Sequence, residues 1–126
     1  MSYVVRKNSA RTTRFNDDVF HWLATSDETG GAYALMEVEI PVGGGPAPHV
    51  HEAAEEWFYV LAGQPIFHVG TERLVLGSGD FVRIPPGTTH WFEVVGQPVR
   101  VLASFVPGGE EATLLRLGRE IDPTTS

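Results

Sequence analysis

The chain predicts an all-β fold, a sandwich or barrel of short antiparallel strands. Apolar and β-branched residues come in short runs, Gly, Pro, Asn, Asp and Ser cluster between them, and helical periodicity is confined to one stretch near the C-terminus. At 126 residues the chain is expected to form a single domain, 1–126, with a core large enough to need no staples.

Residues 1–18 are polar, with Arg6, Lys7, Arg11 and Arg14 carrying much of the positive charge, and read as an N-terminal arm or edge strand. Tyr3, Val4 and Val5 could pair onto a partner's sheet. Val19–Ala24 is a first apolar run, and Thr25–Gly31 is a turn by composition. Ala32–Ile40 alternates, with Ala34, Met36, Val38 and Ile40 on one face and Tyr33, Leu35, Glu37 and Glu39 on the other, the pattern of a half-buried strand. Pro41–Pro48 is a Gly/Pro loop. Trp57–Leu61 has strong β propensity. Turns at Ala62-Gly63, Gly70-Thr71-Glu72, Gly77–Asp80 and Pro85-Pro86-Gly87 then delimit strands over Ile66–Val69, Arg73–Leu76, Phe81–Ile84 and His90–Val95, followed by Val99–Val106. Glu110–Arg119 reads as a short helix, with Ala112, Leu115 and Arg119 on one face, and Asp122-Pro123 ends the structure.

The bulk numbers restrict function. Nine Lys and Arg against sixteen Asp and Glu give a net charge of −7, which disfavours a nucleic-acid partner. The absence of cysteine excludes disulfides, thiolate metal sites and a Cys nucleophile. The N-terminus lacks the apolar run of a signal peptide, and no segment has the length of a membrane span, so a soluble cytoplasmic protein is the expectation.

Chemistry concentrates in two segments. In His49-Val50-His51 the histidines sit two apart, so in a strand they share a face with Cα atoms roughly 6.5 Å apart and can reach one ion. Glu56 opens Glu56-Trp57-Phe58-Tyr59-Val60 and shares a face with Phe58 and Val60. Glu55 competes for the same role, but its parity places it with Trp57 and Tyr59; only a bulge would invert that choice. Further on, His90 shares a face with Phe92 and Val94, which suit an interior. A lone inward histidine is usually packed core; three with a carboxylate would be costly to desolvate without a cation. Imidazole and carboxylate donors suit a first-row transition metal.

These spacings resemble those of the cupins. Gly43, five residues, His49-x-His51, four residues, Glu56, six residues, Gly63 resembles the first cupin motif; Gly79, five residues, Pro85-x-Gly87, two residues, His90 resembles the second. The motif-bearing stretch is 43–94. The second motif often closes with Asn four residues after its histidine, where this chain has Val94, which makes the pocket more apolar. The resemblance implies a jelly-roll β-barrel of two antiparallel sheets, a ligand set of His49, His51, Glu56 and His90, and one divalent transition metal ion (Fe, Mn, Ni, Cu, Co or Zn). Pro48–His51, Phe58–Leu61 and Phe105-x-Pro107-Gly108-Gly109 look most like the quercetin-dioxygenase-like branch.

The resemblance implies a metal-dependent protein acting on a small organic molecule. A dioxygenase would take a substrate with an enol or phenol oxygen, with Glu56 both ligand and proton acceptor. The alternatives on the same residues are a non-redox isomerase, epimerase or lyase, and a non-catalytic ligand-binding or sensor protein. Met36, Phe58, Phe92 and Val94 are the candidate pocket walls. His21 and His68 read as bystanders, His68 facing outward because Phe67 and Val69 read as the inward pair. Gly43-Gly44-Gly45 lacks the Lys-Ser/Thr and helix of a phosphate loop and reads as a flexible loop near the metal mouth. Trp57 and Tyr59 on an outer face, with the N-terminal arm, suggest a homodimer.

Overall fold

The structure is a computed structural model that describes residues 2–124; Met1, Thr125 and Ser126, which belong to the expected 1–126 domain, lie outside the described residues. Its ten strands are β1 (Arg11–Phe15), β2 (Asp18–Ala24), β3 (Ala34–Ile40), β4 (Glu55–Ala62), β5 (Ile66–Val69), β6 (Glu72–Val75), β7 (Phe81–Ile84), β8 (His90–Glu93), β9 (Val99–Val106) and β10 (Arg119–Ile121). Two short helices, α1 (Ser26–Thr29) and α2 (Glu111–Leu117), and a 3₁₀ turn at Lys7–Ser9 complete it. A seven-stranded sheet, in the order β10-β1-β2-β3-β9-β4-β7, faces a three-stranded sheet, β6-β5-β8. All named pairings are antiparallel, the arrangement of a two-sheet jelly roll.

Period-two patterning builds the interior. Ala34, Met36, Val38 and Ile40 are buried, and the intervening residues of β3 are half-buried. Phe58 from the large sheet meets Phe67 and Phe92 from the small one, with ring centroids 5.0 and 5.6 Å away, tying the sheets together by aromatic packing. Val60, Val101 and Ile84 fill the rest of this layer. Gly63 closes the hairpin after β4 at φ +87°, and a Cβ there would lie 2.6 Å from the Pro98 carbonyl oxygen, so glycine is required on both counts.

Several elements differ from the sequence reading. The Thr25–Gly31 turn contains a helical turn, because Thr25 and Glu28 form a reciprocal capping box and Gly30 closes it in the left-handed region. Arg11–Phe15 is not an edge strand: it lies between β2 and β10, and β10 forms the edge. Thr12 and Thr13 are buried there, and the Trp22 indole donates to Thr13 Oγ1 at 3.0 Å. Their hydroxyls masked an inward position in a polar-looking segment. Before it, Tyr3 donates its hydroxyl to the Leu23 carbonyl of the same chain at 2.9 Å. The C-terminal helix is shorter than 110–119: Ala112 is exposed, Leu114 and Leu115 are half-buried, and Arg119 starts β10. The buried residue of α2 is Glu111, whose carboxylate accepts from the Ser26 amide (2.7 Å) and hydroxyl (2.8 Å) and the Gly109 amide (2.6 Å), pinning α2 against α1. No helix among the described residues is long and apolar enough to cross a membrane.

Candidate metal centre

Backbone pairing brings the two histidine segments together. His49 and His90 form an isolated antiparallel bridge and exchange both hydrogen bonds, His49 N–H to His90 O at 3.0 Å and His90 N–H to His49 O at 2.9 Å. The Gly87 amide donates to the His51 carbonyl at 2.8 Å, so the turn after Pro85-Pro86 is stitched directly to the His49–His51 segment. Gly87 takes φ +78°, a conformation that side chains rarely adopt. Glu56 comes from the large sheet, where β4 pairs it with Ile84 on one side and Phe105 on the other.

The four side chains converge. One donor atom from each of His49, His51, Glu56 and His90 lies within 4.8 Å of the others. Glu56 Oε1 is the centre: His90 Nε2 is 2.8 Å away, His51 Nε2 3.4 Å and His49 Nε2 3.9 Å. Metal–ligand bonds of about 2.0–2.2 Å set donors roughly 3–4 Å apart around one ion, so this cluster, with its donors within 4.8 Å of one another, needs only small side-chain adjustments to hold one. The other face of each ring is also held. His49 Nδ1 is 2.8 Å from the Ala47 carbonyl and His90 Nδ1 2.8 Å from the Thr88 carbonyl. A carbonyl only accepts, so both Nδ1 atoms carry a proton and both Nε2 atoms are turned toward Glu56, where each can donate to the carboxylate or, once deprotonated, bind a cation. His51 Nδ1 reaches the Glu110 carboxylate at 3.0 Å.

Electrostatics point the same way. Burial pushes the Glu56 carboxyl up, but hydrogen bonding to the three imidazoles outweighs it and holds the group well below the usual carboxylate range. Glu56 raises the pKa of both His49 and His51 against the opposing effect of burial. Glu56 and His90 are buried, while the His49 and His51 side chains keep 31% and 17% of their exposure, so access to the centre is from the His49 side. Three imidazoles and one carboxylate, pre-oriented and charge-matched, fit a divalent ion.

Above them lies a cavity of about 670 Å³, within the range of small-molecule sites. Met36, Phe58 and Phe92 line it. Val94 does not: it is 1% exposed in the core beyond the end of β8, where its carbonyl accepts from the Gly43 amide, so it is corrected from pocket wall to core. Glu55 faces away and pairs with Arg83 at 2.8 Å, leaving Glu56 in the centre, as parity required. Two cavity-lining acids escaped the sequence reading. Glu110 carries no local signal, since its contact with His51 spans 59 residues. Asp18 did carry one, because it shares the inward parity of Phe20 and Trp22 but sat inside a stretch read as an arm.

Comparison with known proteins agrees with this geometry. The cupin domain model matches residues 36–105, which contain all four clustered residues. Quercetin 2,3-dioxygenase of Aspergillus japonicus is 31% identical over 98% of this chain and 37% of its own length. Quercetin 2,3-dioxygenase of Bacillus subtilis (strain 168) is 27% identical over 92% of this chain and 34% of its own length. The chain thus spans about a third of these enzymes. Among solved structures, an RmlC-like cupin from Shewanella frigidimarina NCIMB 400 superposes with a TM-score of 0.77 at 17% identity, covering 89% of this chain and 96% of the other. Two packed antiparallel sheets, both histidine segments at the expected spacings and the matched family model lead to one conclusion: the chain belongs to the cupin family.

Proposed function

We propose that this protein is a metal-dependent dioxygenase that acts on a small organic molecule bearing an enol or phenol oxygen. The observation that carries the reading is the convergence of three imidazoles on Glu56 Oε1 at the floor of an apolar cavity. Similarity to two quercetin 2,3-dioxygenases supports the reaction class.

His49, His51, Glu56 and His90 would hold one divalent ion, which supplies Lewis acidity and, if redox-competent, electron transfer to O₂. The remaining work falls to the chain. The Ala47 and Thr88 carbonyls fix two rings with Nε2 inward, so these donors need little reorientation. Met36, Phe58, Phe92, Val101 and Ala103 supply an apolar wall that excludes water from the substrate. Glu56, facing the cavity, is the carboxylate placed to accept the enol or phenol proton; its histidine partners depress its basicity in the metal-free chain, and it would regain basicity once they turned to a bound ion. Both atoms of O₂ enter the product as the substrate's double bond or ring is cleaved.

The test is oxygen uptake by metal-reconstituted protein with quercetin as first substrate, alongside metal analysis of protein purified without chelator or nickel resin. The reading expects bound divalent metal and one O₂ consumed per substrate. Equal turnover under nitrogen would overturn it in favour of isomerase, epimerase or lyase chemistry. Tight binding of quercetin without any turnover would favour a non-catalytic ligand-binding role.

A further inference from the structure

The cavity has a second polar end. Met36, Val38 and Ile40 line one wall in successive inward positions of β3, so this wall alone runs roughly 13 Å. Glu56 lies in the row of Phe105 and Ala34, at the start of β3. Asp18 lies at the other end: a Cβ on Gly44 would be 3.1 Å from Asp18 Oδ1 and 2.8 Å from Ile40 Cγ2, which sets Asp18 beside Ile40. A side chain at position 44 would clash with Ile40 and crowd Asp18, so the central residue of Gly43-Gly44-Gly45 leaves this carboxyl uncovered.

Asp18 lines the cavity together with Phe15, Asn16, Phe20 and Ile40. Asp18 is half-buried, and among the described residues no side-chain hydrogen bond or cation partners its carboxyl; partial burial first, and the Asp17 charge second, push it up to about 6. A carboxyl half-withdrawn from water into an apolar wall without a partner opposes folding to a modest extent, and a leucine there would not. A donor on a bound molecule would remove that cost on binding.

We propose that Asp18 forms a subsite, at the end of the cavity remote from the histidines, for a hydrogen-bond donor on the ligand: a hydroxyl or an ammonium group. The ligand is then bipolar, with an ionisable oxygen at the Glu56 end, an apolar body, and a donor at the Asp18 end. This rests on the reading that the histidine end takes an enol or phenol oxygen.

The test uses zinc-loaded protein, because zinc is not redox-active and the probes bind without turnover. The probes are catechols carrying an alkyl tail of graded length, ended by methyl, hydroxyl or ammonium, and affinities are measured by calorimetry. At one tail length the hydroxyl or the ammonium probe binds about tenfold tighter than its methyl counterpart. Asp18→Leu abolishes that preference while methyl-tailed affinity stays the same. Asp18→Asn separates the two donors, since the amide carbonyl still accepts from a hydroxyl but no longer attracts an ammonium. Equal affinities at every tail length, or a preference that survives Asp18→Leu, overturn the subsite. If the methyl-tailed catechols nevertheless bind and His90→Ala abolishes that binding, the proposed function stands without the subsite. Failure of every catechol to bind overturns both.

Discussion

Strand β8 presents histidine chemistry on both faces, and the two faces differ in everything except residue type. On the inner face, His90 meets Glu56 at 2.8 Å, with two further imidazoles around the same oxygen. On the outer face, Glu93 meets His68 at 2.6 Å, and the His68 ring stacks on Trp91 with centroids 3.8 Å apart and planes 5° from parallel. The outer pair is one to one, complete, and open to water, with side chains 21% and 38% exposed. The inner group is three to one around a buried carboxylate, with His90 buried and His49 and His51 31% and 17% exposed, so several imidazoles compete for one carboxylate oxygen. Short His–Glu distances alone therefore do not suggest a cation site; convergence of several imidazoles on one buried carboxylate forms a group that could hold one. His21 with Glu39 repeats the outer arrangement on the large sheet.

The comparison breaks most directly by removing one histidine from each face. His90→Ala, like His49→Ala, is expected to lower metal affinity by more than the roughly 10–100-fold that loss of a ligand's hydrogen-bond partner costs. His68→Ala should retain full occupancy, measured by metal analysis after dialysis against trace metal. Full occupancy in His90→Ala would remove that residue from the ligand set. The acids make a second pair: Glu56→Gln should lose most of the metal, and Glu55→Gln should lose none, because Glu55 already pairs with Arg83 on the outer face. Next in size, Glu110→Ala weakens metal binding about tenfold by releasing His51 Nδ1 without touching a donor atom. An unchanged affinity would mean that packing against Phe105, 5.3 Å from the His51 ring, orients His51 alone.

A smaller effect separates inward acids by their partners. Asp18 has a folded pKa of about 6, above its ordinary 3.8, so the folded chain binds the extra proton between those values. The contribution of Asp18 in the metal-free protein, read as the difference between wild type and Asp18→Asn, should fall as pH rises through that window and plateau above it. Asp18→Asn should flatten this slope and be the more stable protein at pH 7, by on the order of 1 kcal/mol after allowance for solvent screening, in urea unfolding. Opposite behaviour is expected of Glu56, whose depressed pKa contributes stability that is lost on acidification. Smallest of all, His68→Ala should change stability by about 0–1 kcal/mol, the usual worth of an exposed ion pair.

Strand parity in the sequence determined much of this. Met36, Phe58, Phe92, Glu56 and His90 occupy inward positions because side chains alternate across a strand, a local property that turns delimit. The motif glycines and prolines were legible for the same reason, since Gly63 and Gly87 meet backbone demands that single residues signal. Tertiary structure alone decided the rest. The His49–His90 bridge spans 41 positions and the His51–Glu110 contact 59, and no local pattern encodes either. Arg11–Phe15 became an inner strand only because Arg119–Ile121 returned to cover it. Val94 has the parity of a pocket residue, yet it lies in the core, because where a cavity ends depends on how both sheets close over it. Alternation fixes which way a side chain points; only packing fixes what it meets.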